Sequence, residues 1–133
     1  MSECIIDHTS LSVADLTAML AFYEKALAPL GVKTLMRFGK EVTGNVEVAG
    51  LGREKPFLWI ADAGKTEPRV HLAIRADSRA DVDSFHAAAI AAGGTDNGAP
   101  GLRQHYHPAY YAAFVIDPEG HNLEAVCHNW ELT

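Results

Sequence analysis

The fold is decided by residues 110–126, which read YYAAFVIDPEGHNLEAV. Within this stretch, Asp117, Pro118 and Gly120 occupy the first, second and fourth positions of a four-residue turn, as a type I turn favours. The aromatic and β-branched residues before the turn predict a strand, and the alternation after it predicts a second strand. We therefore predict a hairpin whose second strand carries Glu124 among apolar residues. A carboxylate buried there is costly unless it is paired or bound to a metal.

The composition sets limits on the class of protein. The chain has 133 residues, 48% of them hydrophobic and 21% charged, and a net charge of -6. The acidic balance argues against nucleic acid or a membrane surface as a partner. No apolar run approaches the ~20 residues of a membrane span, and the first residues lack the features of a signal peptide. We therefore expect a cytoplasmic protein in which Cys4 and Cys127 are reduced thiols.

The first half of the chain predicts a strand, a helix and three more strands. Residues 3–13 alternate weakly and predict the first strand. Asp15 is a favourable N-cap and Gly31 a favourable end for the helix between them. Residues 32–62 predict three short strands separated by glycine-containing turns. The apolar stripe of the helix comprises Leu16, Leu20, Tyr23 and Leu27.

The second half repeats this order. Residues 69–76 predict a strand, and Ser78 is a favourable cap for a second helix that ends at Gly93 and Gly94. Residues 95–109 are rich in Gly and Pro, and the hairpin follows them. The apolar stripe of the second helix comprises Val82, Phe85 and Ala89.

A shift of 63 residues superimposes the two halves. Internal repeats of this kind determine the fold before local detail does. We therefore predict one domain, residues 1–133, made of two similar modules at about 1–64 and 68–133. The same shift pairs Glu124 with Ala61, so the two modules differ chemically at this position. The equivalent pairs are His8 and His71, Asp15 and Ser78, Phe22 and Phe85, and Gly31 and Gly94.

Three predicted strands each carry one candidate metal ligand: His8, His71 and Glu124. The faces opposite His71 and Glu124 are apolar, so we expect the polar faces to line a shared cavity. Two imidazoles and a carboxylate form a metal site with open positions, suited to Fe(II), Mn(II), Zn(II) or Ni(II). A metal held there binds a small substrate with adjacent oxygens as a Lewis acid. Glu124 is also a candidate catalytic base if it can leave the metal.

Two motifs are present, His8-x-x-Leu11-x-Val13-x-Asp15 at the start and Asp117-Pro118-Glu119-Gly120-His121-x-Leu123-Glu124 at the end. With the second βαβββ half beginning at His71, they resemble the vicinal oxygen chelate superfamily, which includes glyoxalase I, bleomycin-resistance proteins and extradiol dioxygenases. The resemblance covers almost the whole chain. It implies an α+β fold of two βαβββ modules, each forming half of an incomplete barrel, with His8, His71 and Glu124 as metal ligands. It also implies a homodimer.

The sequence departs from glyoxalase I at one ligand. Glyoxalase I has a fourth ligand on the last strand of its first half, where this chain has Trp59-Ile60-Ala61 and no ligand. A three-ligand site remains, like that of the dioxygenases or thiol transferases. The fosfomycin-resistance thiol transferases have a Thr two residues after the first His, and Ser10 holds that place here. The chain has no copy of their potassium loop.

Five residues are candidate substrate contacts, and two functions stay open. Ser10, Trp59 and Tyr111 are candidates for the cavity wall, although Trp59 and Tyr111 also fit a plain core. His105 and His107 lie in a Gly/Pro loop, where they fit substrate contact, simple exposure or a rival metal pair. One function is a metal-dependent glyoxalase- or dioxygenase-like enzyme: a lyase, dioxygenase or thiol transferase. The other is a bleomycin-resistance-like protein that sequesters a small planar or aromatic compound without chemistry.

Overall fold

The computed structural model describes residues 4–128, which form two four-stranded sheets, each associated with one long helix. The first module contains β1 (Thr9–Ser12), α1 (Leu16–Leu27), a 3-10 turn (Ala28–Leu30), β2 (Lys33–Phe38), α2 (Lys40–Thr43), β3 (Val48–Gly52) and β4 (Pro56–Ala61). The second contains β5 (His71–Arg75), α3 (Arg79–Ala91), β6 (Thr95–Leu102), β7 (Tyr111–Ile116) and β8 (Asn122–Cys127).

The strand orders are β1-β4-β3-β2 in the first sheet and β5-β8-β7-β6 in the second. In each sheet the first strand pairs in parallel with the last strand of its module, and the other pairs are antiparallel. Neither sheet closes into a barrel. The α+β fold of two βαβββ modules is therefore confirmed.

Both long helices begin at the predicted caps. Asp15 Oδ1 accepts the Ala18 N–H at 3.0 Å, and the Ser78 hydroxyl accepts the Asp81 N–H at 3.1 Å. Each bond satisfies one of the backbone donors that the first turn of a helix leaves open. The predicted apolar stripes are buried in both helices.

Three segments differ from the sequence-based prediction. Thr95–Leu102 forms β6 despite its Gly and Pro, because β6 is an edge strand, where both residues are tolerated. Lys40–Thr43 forms a short helix between two glycines, where only strands and turns were predicted. The predicted strand 3–13 is shorter, since residues 4–8 have no regular structure and residue 3 lies outside the described residues.

One hydrophobic core joins the two modules. Helix α1 packs against α3, and alternate residues of both sheets, such as Leu58 and Leu123, are buried with them. Since strand side chains alternate between faces, the other face of each sheet points away from this core. Each module thus has one sheet face that neither long helix covers.

The turn at Asp117 forms as predicted. The Gly120 N–H donates to the Asp117 carbonyl at 2.9 Å. The buried Asp117 side chain accepts the N–H groups of Glu119 and His121 through one oxygen, at 2.9 and 3.0 Å. These bonds fix the turn between β7 and β8.

The same turn attaches the second module to the first. The other Asp117 oxygen accepts the hydroxyl of Tyr23 in α1 at 2.6 Å. Burial raises the pKa of Tyr23 well above its usual value, and Asp117 raises it further, so the hydroxyl keeps its proton. The Glu119 carboxylate accepts the N–H groups of Ala14 and Asp15, directly before α1, at 2.9–3.0 Å.

None of the helices in residues 4–128 is long and apolar enough to cross a membrane. Over the same range, Cys4 is exposed, Cys127 is buried, and both thiols are free.

Tyr23→Phe tests the bond between the modules. We expect it to lower the free energy of unfolding in urea by about 2 kcal/mol, because a buried carboxylate loses its hydroxyl donor. Tyr111→Phe is the matched control: the Tyr111 hydroxyl donates to Asp83 at 2.6 Å in an exposed position. A surface hydrogen bond should change stability by about 0.5 kcal/mol or less. Equal losses in the two variants would contradict a special role for the buried bond.

Candidate functional site

Glu124 lies at the centre of the second sheet. It is on β8, between β5 and β7, where its partners across the sheet are Ala73 and Phe114. Only 1% of the residue is exposed. A carboxylate this deep needs partners for both oxygens, and the structure supplies one for each.

His71 is the first partner. Its Nε2 lies 2.8 Å from Glu124 Oε1, and 52% of the His71 side chain is exposed. His71 and Glu124 share one face of the sheet, as their positions in the register require. Two of the three predicted metal ligands are therefore in direct contact.

Tyr110 is the second partner. Its hydroxyl donates a hydrogen bond to Glu124 Oε2. Burial raises the pKa of Tyr110, and the hydrogen bond to Glu124 raises it further, so the hydroxyl is a donor at neutral pH. Together with His71, this bond leaves neither Glu124 oxygen unpaired.

The three residues open onto a cavity of about 490 Å³. Aromatic rings form much of its wall, and Glu124 lies at its base. This combination of an apolar wall with a few convergent ionisable groups is typical of small-molecule sites. The lining comprises His71, Tyr106, His107, Tyr110, Phe114 and Glu124.

A larger cavity, of about 580 Å³, lies elsewhere, between the linker at residues 65–69 and the turn at residues 119–121. It contains none of the predicted metal ligands. Volume alone therefore does not identify the site; the grouping of His71, Tyr110 and Glu124 does.

The loop before β7 carries a pair of imidazoles. His107 Nδ1 accepts the Ala109 N–H at 3.0 Å, so the proton of a neutral His107 is on Nε2. That Nε2 donates to His128 Nδ1 at 2.7 Å. Burial lowers the pKa of His128, and the neighbouring His107 lowers it further. Both rings pack against Tyr110, with centroids 5.4 and 5.0 Å from it.

His8 lies apart from this group. It directly precedes β1 in the other module, and its Nδ1 contacts Asp7 at 2.6 Å. Within the described chain, no three His, Cys, Asp or Glu side chains come together to hold a metal ion. A single chain thus brings together His71 and Glu124, but not His8.

The predicted substrate contacts fall in different places. Ser10 and Trp59 are paired in register on the uncovered face of the first sheet, and Trp59 stacks on Phe38 at 6.2 Å. His107 lines the cavity, whereas His105 packs on Tyr106, which lines it. The Tyr111 hydroxyl bonds to Asp83 of α3, on the opposite side of the sheet from Glu124.

Tyr110 was not among the predicted site residues, yet the sequence carried a signal for it. Tyr110 and Phe114 are four positions apart, and Phe114 is paired with Glu124 across the hairpin. Alternation therefore puts Tyr110, and not Tyr111, on the side of Glu124. His128 was also missed, because its role depends on the distant loop that holds His107.

The ligand atoms of His71 and Glu124 fit a divalent cation in part. Imidazole nitrogen and carboxylate oxygen are ligands that transition metals accept, and Glu124 is buried as a ligand carboxylate often is. Metal binding requires a ligating nitrogen without its proton, so it would replace the hydrogen bond between His71 and Glu124. Two protein ligands are fewer than most sites have, which means that a further ligand has to come from outside this group.

The comparisons with known proteins agree with this fold. A profile of the Glyoxalase/Bleomycin resistance protein/Dioxygenase superfamily matches residues 5–125. A search of curated proteins found no match. The chain is similar to a glyoxalase/bleomycin resistance protein from Albidiferax ferrireducens, with 25% identity, a TM-score of 0.75, and coverage of 93% of this chain and 98% of that one.

Two more distant structures share the fold. Glyoxalase I from Zea mays is 20% identical, with a TM-score of 0.68 and coverage of 91% of this chain and 43% of that one. A mutant of the fosfomycin resistance protein FosX from Listeria monocytogenes, complexed with Mn(II) and 1S,2S-dihydroxypropylphosphonic acid, is 17% identical. Its TM-score is 0.67, and the coverage is 94% of this chain and 93% of that one. With the profile match over nearly its full length, the chain belongs to the glyoxalase/bleomycin resistance protein/dioxygenase superfamily.

Proposed function

We propose that this chain is a metal-dependent enzyme whose complete site forms between two copies. His71 and Glu124 of one copy and His8 of the other are the metal ligands. The observation that carries the proposal is the buried Glu124 carboxylate, 1% exposed, in contact with an imidazole at the base of a cavity. A buried carboxylate needs a partner or a cation, and the cavity that opens onto Glu124 gives a cation access to it.

The surface around His8 supports a second copy as the source of the third ligand. Ile5 is 96% exposed and Ile6 is 70% exposed, and they precede His8 by three and two residues. Met36 and Phe38 of β2 are partly exposed in the same module. The two pairs lie at opposite edges of the first sheet, and exposed apolar side chains on that sheet support its association with another chain. A two-fold dimer would repeat the contact and build two equal sites.

The divalent cation, one of Fe, Mn, Zn or Ni, would supply Lewis acidity toward adjacent oxygens of a substrate. The rings of Tyr106 and Phe114 keep the site apolar, which strengthens electrostatic contacts inside it. Glu124 is the candidate base: if Oε1 is released from the cation, it can accept a proton from the substrate. The FosX mutant of the same fold is complexed with Mn(II), which supports a divalent cation in this chain as well.

The cavity indicates a small substrate. Its volume of about 490 Å³ is at the lower end of the range typical of ligand sites. In the proposed dimer, Ser10 and Trp59 of the second copy lie on the same open sheet face that supplies His8. They are the candidate contacts for the part of the substrate that faces away from Glu124. The reaction is of the lyase, dioxygenase or thiol-transferase type.

One observation favours a different function, which is sequestration of a planar compound without chemistry. Tyr106, Tyr110 and Phe114 present aromatic rings to the cavity, and such rings bind planar ligands by stacking. Under this alternative the contact of His71 with Glu124 is a structural ion pair. Metal content distinguishes the two functions.

Metal analysis is the direct test. Protein purified without chelator and reconstituted should hold about one equivalent of divalent transition metal per chain. His71→Ala should reduce this to about a tenth or less, because a main ligand is lost. His86→Ala is the matched control, since His86 pairs with Asp96 away from the cavity. A wild-type protein that holds less than about a tenth of an equivalent would overturn the enzyme proposal in favour of sequestration.

Mixing two inactive variants tests where the third ligand comes from. His8→Ala and His71→Ala should each lose the metal alone. After unfolding together and refolding, about half of the dimers are mixed, and each mixed dimer has one intact site. Metal content should therefore recover to about a quarter of the wild-type value. If all three ligands came from one chain, every chain would lack a ligand and nothing would recover.

A further inference from the structure

We propose that Tyr110 is a positioning residue that makes Glu124 a one-oxygen ligand. The inference rests on the proposed metal site and deepens it. It concerns the second oxygen of Glu124, which no predicted ligand contacts.

The two oxygens of Glu124 have different partners. Oε1 lies 2.8 Å from His71 Nε2, and Oε2 accepts the Tyr110 hydroxyl. Because 1% of Glu124 is exposed, water cannot readily replace either partner. A hydrogen bond to a buried carboxylate both fixes its rotation and occupies the oxygen that receives it.

The loop before β7 is built to hold Tyr110 in place. The Arg103 N–H donates to the Tyr110 carbonyl at 2.7 Å, and the Tyr110 N–H donates to the His107 carbonyl at 3.2 Å. The Tyr110 ring packs at its edge against Tyr106, 4.8 Å away, and against the bonded pair of His107 and His128. The hydroxyl therefore has little freedom to leave Glu124.

The hydrogen bond from Tyr110 limits how Glu124 can bind a cation. Because Tyr110 holds Oε2, only Oε1, which lies toward His71, is left to bind the cation. A carboxylate that bound through both oxygens would fill one more position. By holding Oε2, Tyr110 leaves that position open for a substrate that needs two neighbouring positions for two oxygens.

Tyr110→Phe tests the inference with Mn(II) as the probe. The variant keeps the ring and its packing and loses only the hydroxyl. We expect it to bind Mn(II) about tenfold more weakly, measured from the electron paramagnetic resonance signal of free Mn(II), because the ligand carboxylate loses its outer partner. Infrared difference spectra should show a narrower separation of the two carboxylate stretches than in the wild type, as ligation by both oxygens produces.

Tyr111→Phe is the control, since it removes an equivalent hydroxyl that donates to Asp83 on the other side of the sheet. It should leave both the Mn(II) affinity and the carboxylate spectrum unchanged. Circular dichroism checks that both variants are folded. If Tyr110→Phe matches the wild type in affinity and spectrum, the positioning role is wrong and the metal site stands. If the wild type itself binds no Mn(II) or other transition metal, the proposed function fails and this inference with it.

Discussion

The buried side chain of Asp117 is the constraint on which the rest of the structure depends. One oxygen accepts two backbone N–H groups and closes the turn between β7 and β8, and the other accepts the hydroxyl of Tyr23 in α1. Closing the turn sets the register in which Glu124 lies opposite Phe114. A slip of one residue would turn Glu124 into the core, because side chains alternate between the faces of a strand. The Asp117 carboxylate therefore sets the position of Glu124 and attaches the two modules to each other.

This attachment explains why the candidate site is divided. The modules join through their apolar faces, with α1 packed on α3 and a single core between the sheets. That packing uses the faces that contain Leu58 and Leu123, and it leaves the two polar faces uncovered. His8, directly before β1, and Glu124 belong to different modules, so the packing that stabilises one chain keeps these two predicted ligands apart. In the metal site that we propose, a second copy is the simplest source of the missing imidazole.

Much of the fold could be predicted because its signals are local. The caps at Asp15 and Ser78 and the turn at Asp117 each depend on a few adjacent residues, and all three form. The repeat is less regular than a constant shift suggests. Gly31 has a φ of 78°, but its predicted equivalent Gly94 does not have a positive φ, and the left-handed residue is Gly93. Gly94 instead allows close packing, since a Cβ there would lie 2.4 Å from Val115. Strand β6 and the role of Tyr110 depend on pairing across the sheet, which no local pattern reports.

The duplicated modules have diverged in the use of their open faces. In the second module that face carries His71, Glu124 and the Tyr110 hydroxyl. In the first, the position equivalent to Glu124 is Ala61, and the neighbouring Trp59 ring lies over Gly50, where a Cβ would come within 2.8 Å of it. Trp59 and Phe38 stack there into a flat aromatic surface. One face thus carries a buried carboxylate, whereas the other presents aromatic rings. In the dimeric metal site that we propose, a carboxylate in place of Ala61 would add a second negative charge, whereas an apolar residue there would leave Glu124 as the one acidic ligand and leave room for the oxygens of a substrate.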